Sequence, residues 1–145
     1  MPAFNPPDPA FESRVRSSFN LQPLMKTINA KLVKVSPGEV HIEIPFQQEL
    51  TQQNGFIHAG IITSIVDSAC GYAAFSLMAS TSGVLTVEYK VNLLAPAIGE
   101  RFLAIGRVRK SGRTLTVCEG DVFAHAGGEE TLVATMLATM IRLTA

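Results

Sequence analysis

Between residues 52 and 78 the apolar side chains fall in adjacent pairs that return every four positions: Ile61 and Ile62, Ile65 and Val66, Ala69 and Cys70, Ala73 and Ala74, Leu77 and Met78. Pairs at that interval form one broad stripe of an α-helix, and a helix carrying such a stripe has to bury it. Asn54-Gly55, just upstream, is a strong turn dipeptide. The spacing therefore predicts a long helix over 59–78, entered through a loop that carries His58. Asp67 is the single acid on this otherwise uncharged helix. Taken for stability alone, His58 is a capping or surface residue and Asp67 a solvated edge residue. A membrane span is the other structure that about 20 weakly charged residues can form. Thr63, Ser64, Asp67, Ser68 and Ser76 make the stripe amphipathic instead. An ionisable group near the middle of a span is also costly, so no membrane partner is expected.

The chain of 145 residues is long enough for one domain with a real core, and 47% apolar residues argue for a globular fold. The formal net charge is zero, so nothing favours nucleic acid. Cys70 and Cys118 fall inside a helix pattern and a strand pattern, where they read as small buried hydrophobes, not a disulfide framework. The N-terminus lacks a basic region followed by an apolar one, so a reducing cytoplasm is the expected location.

In order, residues 1–10 read as a mobile, proline-rich lead-in and 11–145 as the single domain. Asp8-Pro9 has the form of an N-cap with proline at the first helical position. A short helix then carries Phe11, Val15 and Phe19 on one face, and Pro23 limits it. Strands are expected over 30–36 and 39–46, joined at Ser36-Pro37-Gly38. In the second, Val40, Ile42, Ile44 and Phe46 alternate with Glu39, His41 and Glu43, which places His41 on a solvent-exposed face. After the long helix come strands over 84–94, 101–110, 113–123 and 131–143, with turns at Pro96 to Gly99, Ser111-Gly112 and Gly127-Gly128. One long helix followed by four strands that short turns can join predicts an α+β fold: a curved antiparallel sheet of about six strands wrapped round the helix.

This layout, with the motif at the helix start, resembles the hotdog-fold thioesterases and within them the PaaI-like (phenylacetic-acid-degradation) acyl-CoA thioesterases. Their signature is an amide, then Gly, then His-Gly-Gly at the helix start, then an acid nine residues after the His. Here Gln52 lies six before His58, Gly55 three before, and Asp67 nine after. Gly83 to Glu88, continuing to Ala95-Pro96-Ala97, also resembles the family, with Thr86 where it often has Ser or Thr. Gly112-Arg113-Thr114-Leu115 resembles its later hairpin, and the likeness covers roughly residues 25–143. The chain departs from the pattern with His58-Ala59-Gly60 in place of His-Gly-Gly. Alanine keeps the backbone N–H that the resemblance assigns to the thioester carbonyl. Asn54 competes with Gln52 for the amide position.

The resemblance implies hydrolysis of an acyl- or aryl-CoA, with coenzyme A as part of the substrate and no cofactor. Ala59 and Gly60, at a helix N-terminus, suit a developing oxyanion. Asp67 suits a general base or a nucleophile. His58 is expected to brace the turn more than to move protons. Gly60 and Asp67 are seven residues apart, roughly 10 Å along the axis at about 1.5 Å per residue. One helix therefore cannot easily bring both to one carbonyl, whereas two helices related by a two-fold axis can. The resemblance implies the same: a homodimer with shared sites, often paired into a tetramer. A non-catalytic hotdog module binding an acyl thioester is the alternative function. A hotdog hydratase is disfavoured because its proline-rich His loop is absent. His41, His58 and His125 lack paired ligand spacing, so no metal is expected.

Arg101, Arg107, Arg109, Lys110 and Arg113 lie within thirteen positions that contain no acid. They read either as charges that protect an edge hairpin from aggregation or, for Arg107, Arg109, Lys110 and Arg113, as groups that meet the phosphates of coenzyme A.

Overall fold

The computed structural model describes residues 3–144. The elements are α1 (Phe11–Leu21), α2 (Pro23–Thr27), β1 (Lys31–Ser36), β2 (Glu39–Pro45), α3 (Ala59–Phe75), β3 (Gly83–Leu93), β4 (Arg101–Ser111), β5 (Leu115–Ala126) and β6 (Glu129–Leu143). A single 3-10 turn, Gln48–Leu50, stands in the loop before α3. The six strands form one sheet in the order β1-β2-β4-β5-β6-β3, antiparallel throughout. This is the antiparallel sheet round a central helix that the element order predicts, and the hotdog arrangement that the resemblance implies, with α3 as the filling.

The stripe on α3 lies against the sheet: Ile62, Ile65, Val66, Ala69, Cys70, Ala73 and Ala74 are buried. They meet Val40, Ile42 and Ile44 of β2 and Phe102, Ala104 and Val108 of β4 in one core. The helix approaches the sheet closely because two facing positions have no side chain. A Cβ at Gly106 would collide with the backbone of Ala69 and Cys70, and one at Gly120 with Val66 and Cys70. α1 covers one end of α3, where Phe19 and Phe75 both meet the ring of Tyr72 edge-on at 6.0 and 6.2 Å between centroids.

Four local expectations are corrected. The helix ends at Phe75, three residues early, because the amides of Leu77 and Met78 bond back to Ala74 and Phe75 in a tightened turn. The Ser76 hydroxyl fixes that turn by donating to the Ala73 carbonyl and accepting from the Gly38 amide. Asp8 is not the N-cap of α1. Ala10 holds that place, and the Asp8 carboxylate instead accepts from the Ala10 amide and pairs with Arg14 at 2.8 Å. Pro23 does not only stop α1; it opens α2 at the first helical position, where its missing N–H costs nothing. His41 is largely covered rather than exposed, with its Nε2 2.7 Å from Glu39.

Candidate active site

The loop 51–58 is closed on itself by a bridge between Thr51 and Ile57. Its turn residue Gly55 has φ of 86°, a left-handed conformation that glycine adopts freely. Within the loop, the side-chain oxygen of Gln52 accepts from the Asn54 amide. The loop delivers His58 as the N-cap of α3. Its Nδ1 accepts from the Gly60 N–H at 2.8 Å, so the ring occupies one of the free amides at the helix start. The Ala59 amide has no hydrogen-bond partner among the described residues. Of the two amides expected to face an oxyanion, Ala59 is therefore free and Gly60 is committed to His58.

Two turns along the same helix, Asp67 accepts a 2.8 Å hydrogen bond from the Thr86 hydroxyl on β3. Burial pushes the Asp67 carboxyl above the ordinary carboxylate value, and the Thr86 hydrogen bond pulls it part of the way back. A base raised in this way holds its proton more firmly and is a better general base once ionised.

Gln52 and Ala59 line one cavity of about 400 Å³, walled by Phe56, Ile62, Val133 and the segment Leu93 to Ala97. Asp67 and Thr86 line another, of about 320 Å³, with Tyr72 and Met140. A third space, a groove of about 300 Å³, follows α3 from Gly60 to Asp67, with Tyr89 and Val91 of β3 opposite. Within one chain Gln52 and Ala59 thus line a different cavity from Asp67 and Thr86, and of these three spaces the groove along α3 is the one that joins the helix start, at Gly60, to Asp67. Asn54 is exposed and lines none of these three spaces.

The cations lie elsewhere. Arg107 is on the sheet face turned away from α3, paired with Glu39 at 3.1 Å. Burial would raise Glu39, but hydrogen bonds from His41 and Lys34 and the nearby charge of Arg107 hold it at about 2. Arg109 pairs with Glu119 at 2.9 Å and sits in a β-bulge between Val108 and Lys110, where strict strand alternation is broken. Lys110 and Arg113 are exposed and make no ion pair among the described residues.

The thioesterase superfamily pattern matches residues 54–131, from the loop turn through β5 into the start of β6. A thioesterase family protein from Silicibacter pomeroyi is 50% identical, with a TM-score of 0.92 over 93% of this chain and 99% of that one. The chain belongs to the thioesterase superfamily. Its reaction class is thioester hydrolysis. This thioesterase is also 29% identical to acyl-coenzyme A thioesterase 13 of Homo sapiens over 68% of its length and 70% of that protein's. The PaaI protein of the E. coli phenylacetic acid degradation operon, at 15% identity and a TM-score of 0.84, has the same fold over 93% of this chain and 94% of that one.

Sequence reasoning did not find four lining residues of the Asp67 cavity: Ser18, Gln22, Tyr72 and Met140. Tyr72 falls between the apolar pairs of the α3 stripe, nothing local marks Met140, and α1 carries no signal that directs it to this cavity.

Proposed function

We propose that this thioesterase hydrolyses an acyl- or aryl-CoA to the free acid and coenzyme A in a site completed by two copies of the chain. The observation that carries the reading is the separation of a free amide, Ala59, from a hydroxyl-bonded carboxylate, Asp67. They stand eight residues apart on one helix, roughly 12 Å at about 1.5 Å per residue. A two-fold pairing sets the helix start of one copy against Asp67 of the other.

The Ala59 N–H polarises the thioester carbonyl, helped by the partial positive charge of the helix start. Gln52, on the cavity wall beside Ala59, orients the same carbonyl. Asp67 supplies the attack, either by taking a proton from water as it adds to the carbonyl carbon or by bonding to that carbon itself. Both routes need the ionised carboxylate, and in both the C–S bond breaks and its electron pair leaves with the sulfur of coenzyme A, which takes up a proton; in the second route water then cleaves the anhydride between Asp67 and the acyl group, releasing the acid and restoring the carboxylate. His58 holds Gly60 and thereby the helix start.

The free edge of β3 supports the pairing. It is the last strand of the sheet, eleven residues long, and exposes Leu85, Val87, Tyr89 and Leu93. A long apolar edge of that kind is a template for another strand. The opposite edge, β1, has six residues and carries Lys31 and Lys34. On the face away from α3, Leu85 and Leu115 flank Ile141 in register, an apolar row suited to joining two dimers as a tetramer. No helix among the described residues is long and apolar enough to cross a membrane. The buried, unpaired thiols of Cys70 and Cys118 suit a reducing cytoplasm.

The test is release of the free thiol of coenzyme A from a panel of alkyl and aryl acyl-CoAs. The wild type turns over, and Asp67→Asn loses on the order of a hundredfold or more in kcat. Binding of acyl-CoA without thiol release would return the non-catalytic alternative.

A further inference from the structure

The cavity beside Asp67 has a polar end. Gln22, at the junction of α1 and α2, donates from Nε2 to the Tyr72 hydroxyl at 3.1 Å. Ser18 Oγ lies 3.3 Å from the same hydroxyl. Ser68 Oγ donates to Gln22 Oε1 at 3.4 Å. Ser18, Gln22, Ser68 and Tyr72 all line this cavity, whose remaining wall is Val84, Leu85, Met140 and Gly71 together with Asp67 and Thr86. Four hydrogen-bonding side chains gathered at one end are an inefficient lining for an alkyl chain, because an alkyl group satisfies none of them. Their unused capacity is defined: the second N–H of the Gln22 amide and the spare lone pairs of Ser18 and Tyr72. The frame is rigid, since Tyr72 is 6% exposed and wedged between Phe19 and Phe75. Ser18 and Gln22 lie outside the stretch matched by the superfamily pattern, so the N-terminal segment supplies half of this end wall and α3, with Ser68 and Tyr72, the other half.

We infer that Gln22 and Tyr72 are specificity-determining residues that receive a hydrogen-bonding group at the far end of the acyl moiety, favouring such acyl groups over plain alkyl groups of the same length. The inference rests on the acyl-CoA hydrolase reading above. Asp67 and Tyr72 are five residues apart on α3, roughly 7.5 Å of rise, on the order of the length of an extended six-carbon chain. An acyl chain whose carbonyl is held at Asp67 and that runs along this cavity therefore reaches the polar wall within about six carbons.

The probes are hexanoyl-CoA and ω-hydroxyhexanoyl-CoA, compared by kcat/KM in the wild type, Gln22→Leu and Tyr72→Phe. The wild type favours the hydroxylated substrate by roughly tenfold, the worth of one good hydrogen bond. Both variants bring that ratio to about one while changing kcat/KM for hexanoyl-CoA by less than about threefold. An unchanged ratio in variants that melt like the wild type overturns the inference, as does an equal loss on both substrates, which marks a merely structural role. Gln22 is only half-buried, so Gln22→Leu keeps the test if Tyr72→Phe does not fold. Binding of the two non-hydrolysable thioether analogues, measured by calorimetry, separates the two readings. If the wild type hydrolyses neither substrate but binds the hydroxylated analogue more tightly, the hydrolase reading fails and the end wall stands. If it hydrolyses both without preference, the end wall fails alone.

Discussion

The Thr86 hydroxyl on the edge strand reaches across to the Asp67 carboxylate on the central helix at 2.8 Å. This contact joins the candidate base to β3, the longer of the two edge strands, and it opposes the upward effect of burial on that carboxyl. Thr86→Val removes the opposing contribution. The acid limb of the kcat/KM profile, where activity is lost as Asp67 takes up a proton, then moves to higher pH than in the wild type. The plateau above it falls by less than about tenfold. A profile with its limb unmoved would show that the limb belongs to another group.

Burial also makes Asp67 a stability liability. Its folded value is raised, so ionisation is less favourable in the folded than in the unfolded chain. Stability is therefore reduced above the folded value and recovers as pH falls through it. Asp67→Asn keeps an oxygen for Thr86 to donate to and removes the charge. We expect it to melt above the wild type at neutral pH, with the gap narrowing as the pH is lowered, while activity is lost. Calorimetric melting across pH checks the sign, and a variant that melts lower at neutral pH contradicts it.

His58→Ala frees the Gly60 N–H that Nδ1 now accepts and leaves the helix start uncapped. The expected cost is about 1 kcal/mol of stability, with kcat/KM reduced roughly tenfold as the Ala59 amide loses its fixed direction. The pH–rate profile keeps its shape. A limb that disappears with the ring would instead assign His58 to proton transfer.

Gln52 and Asp67 line different cavities of one chain, so a shared site makes their defects complementary. Mixing Gln52→Ala with Asp67→Ala, with exchange of subunits followed by mass spectrometry, should restore roughly a quarter of wild-type activity: half the dimers are mixed, and each holds one intact site. Exchange without recovery places each site within a single chain.

Among the cations, Lys110→Ala with Arg113→Ala should raise KM for acyl-CoA more than for a truncated thioester lacking the nucleotide. Arg107→Ala should leave both KM values unchanged, because its guanidinium is held by Glu39 on the far face of the sheet. Loss of that pair costs on the order of 0.5 kcal/mol. Equal effects of the Lys110 and Arg113 changes on both substrates would remove them from nucleotide binding.

Much of the architecture was legible because it is written at short range. Paired apolar residues every four positions gave α3, alternation gave β2 and β3, and Gly127-Gly128, both at positive φ, gave the last hairpin. Asp67 stood out as the single acid of that helix, and the helix start was readable as a place of free amides. What stayed hidden is long-range. Gln22 meets Tyr72 across 50 positions, and no local pattern encodes that meeting. The capture of the Gly60 amide by His58 depends on a ring orientation, and the ion pairs of Arg107 and Arg109 on strand register and a bulge. Sequence counts such charges but does not say which are already engaged.

The bare Cα of Gly106 lies beneath the peptide that joins Ala69 to Cys70, less than one turn beyond Asp67. Any side chain there would act as a shim under the helix, lifting α3 and tilting the carboxylate away from Thr86 and from the helix start that the proposed pairing sets against it. The aim of the acid is thus set from below by a methyl group that is not there, in a residue that lines none of the three spaces described. Drift in this enzyme's activity can accordingly arise in the middle of the sheet, at a position that a survey of the cavity walls would pass over.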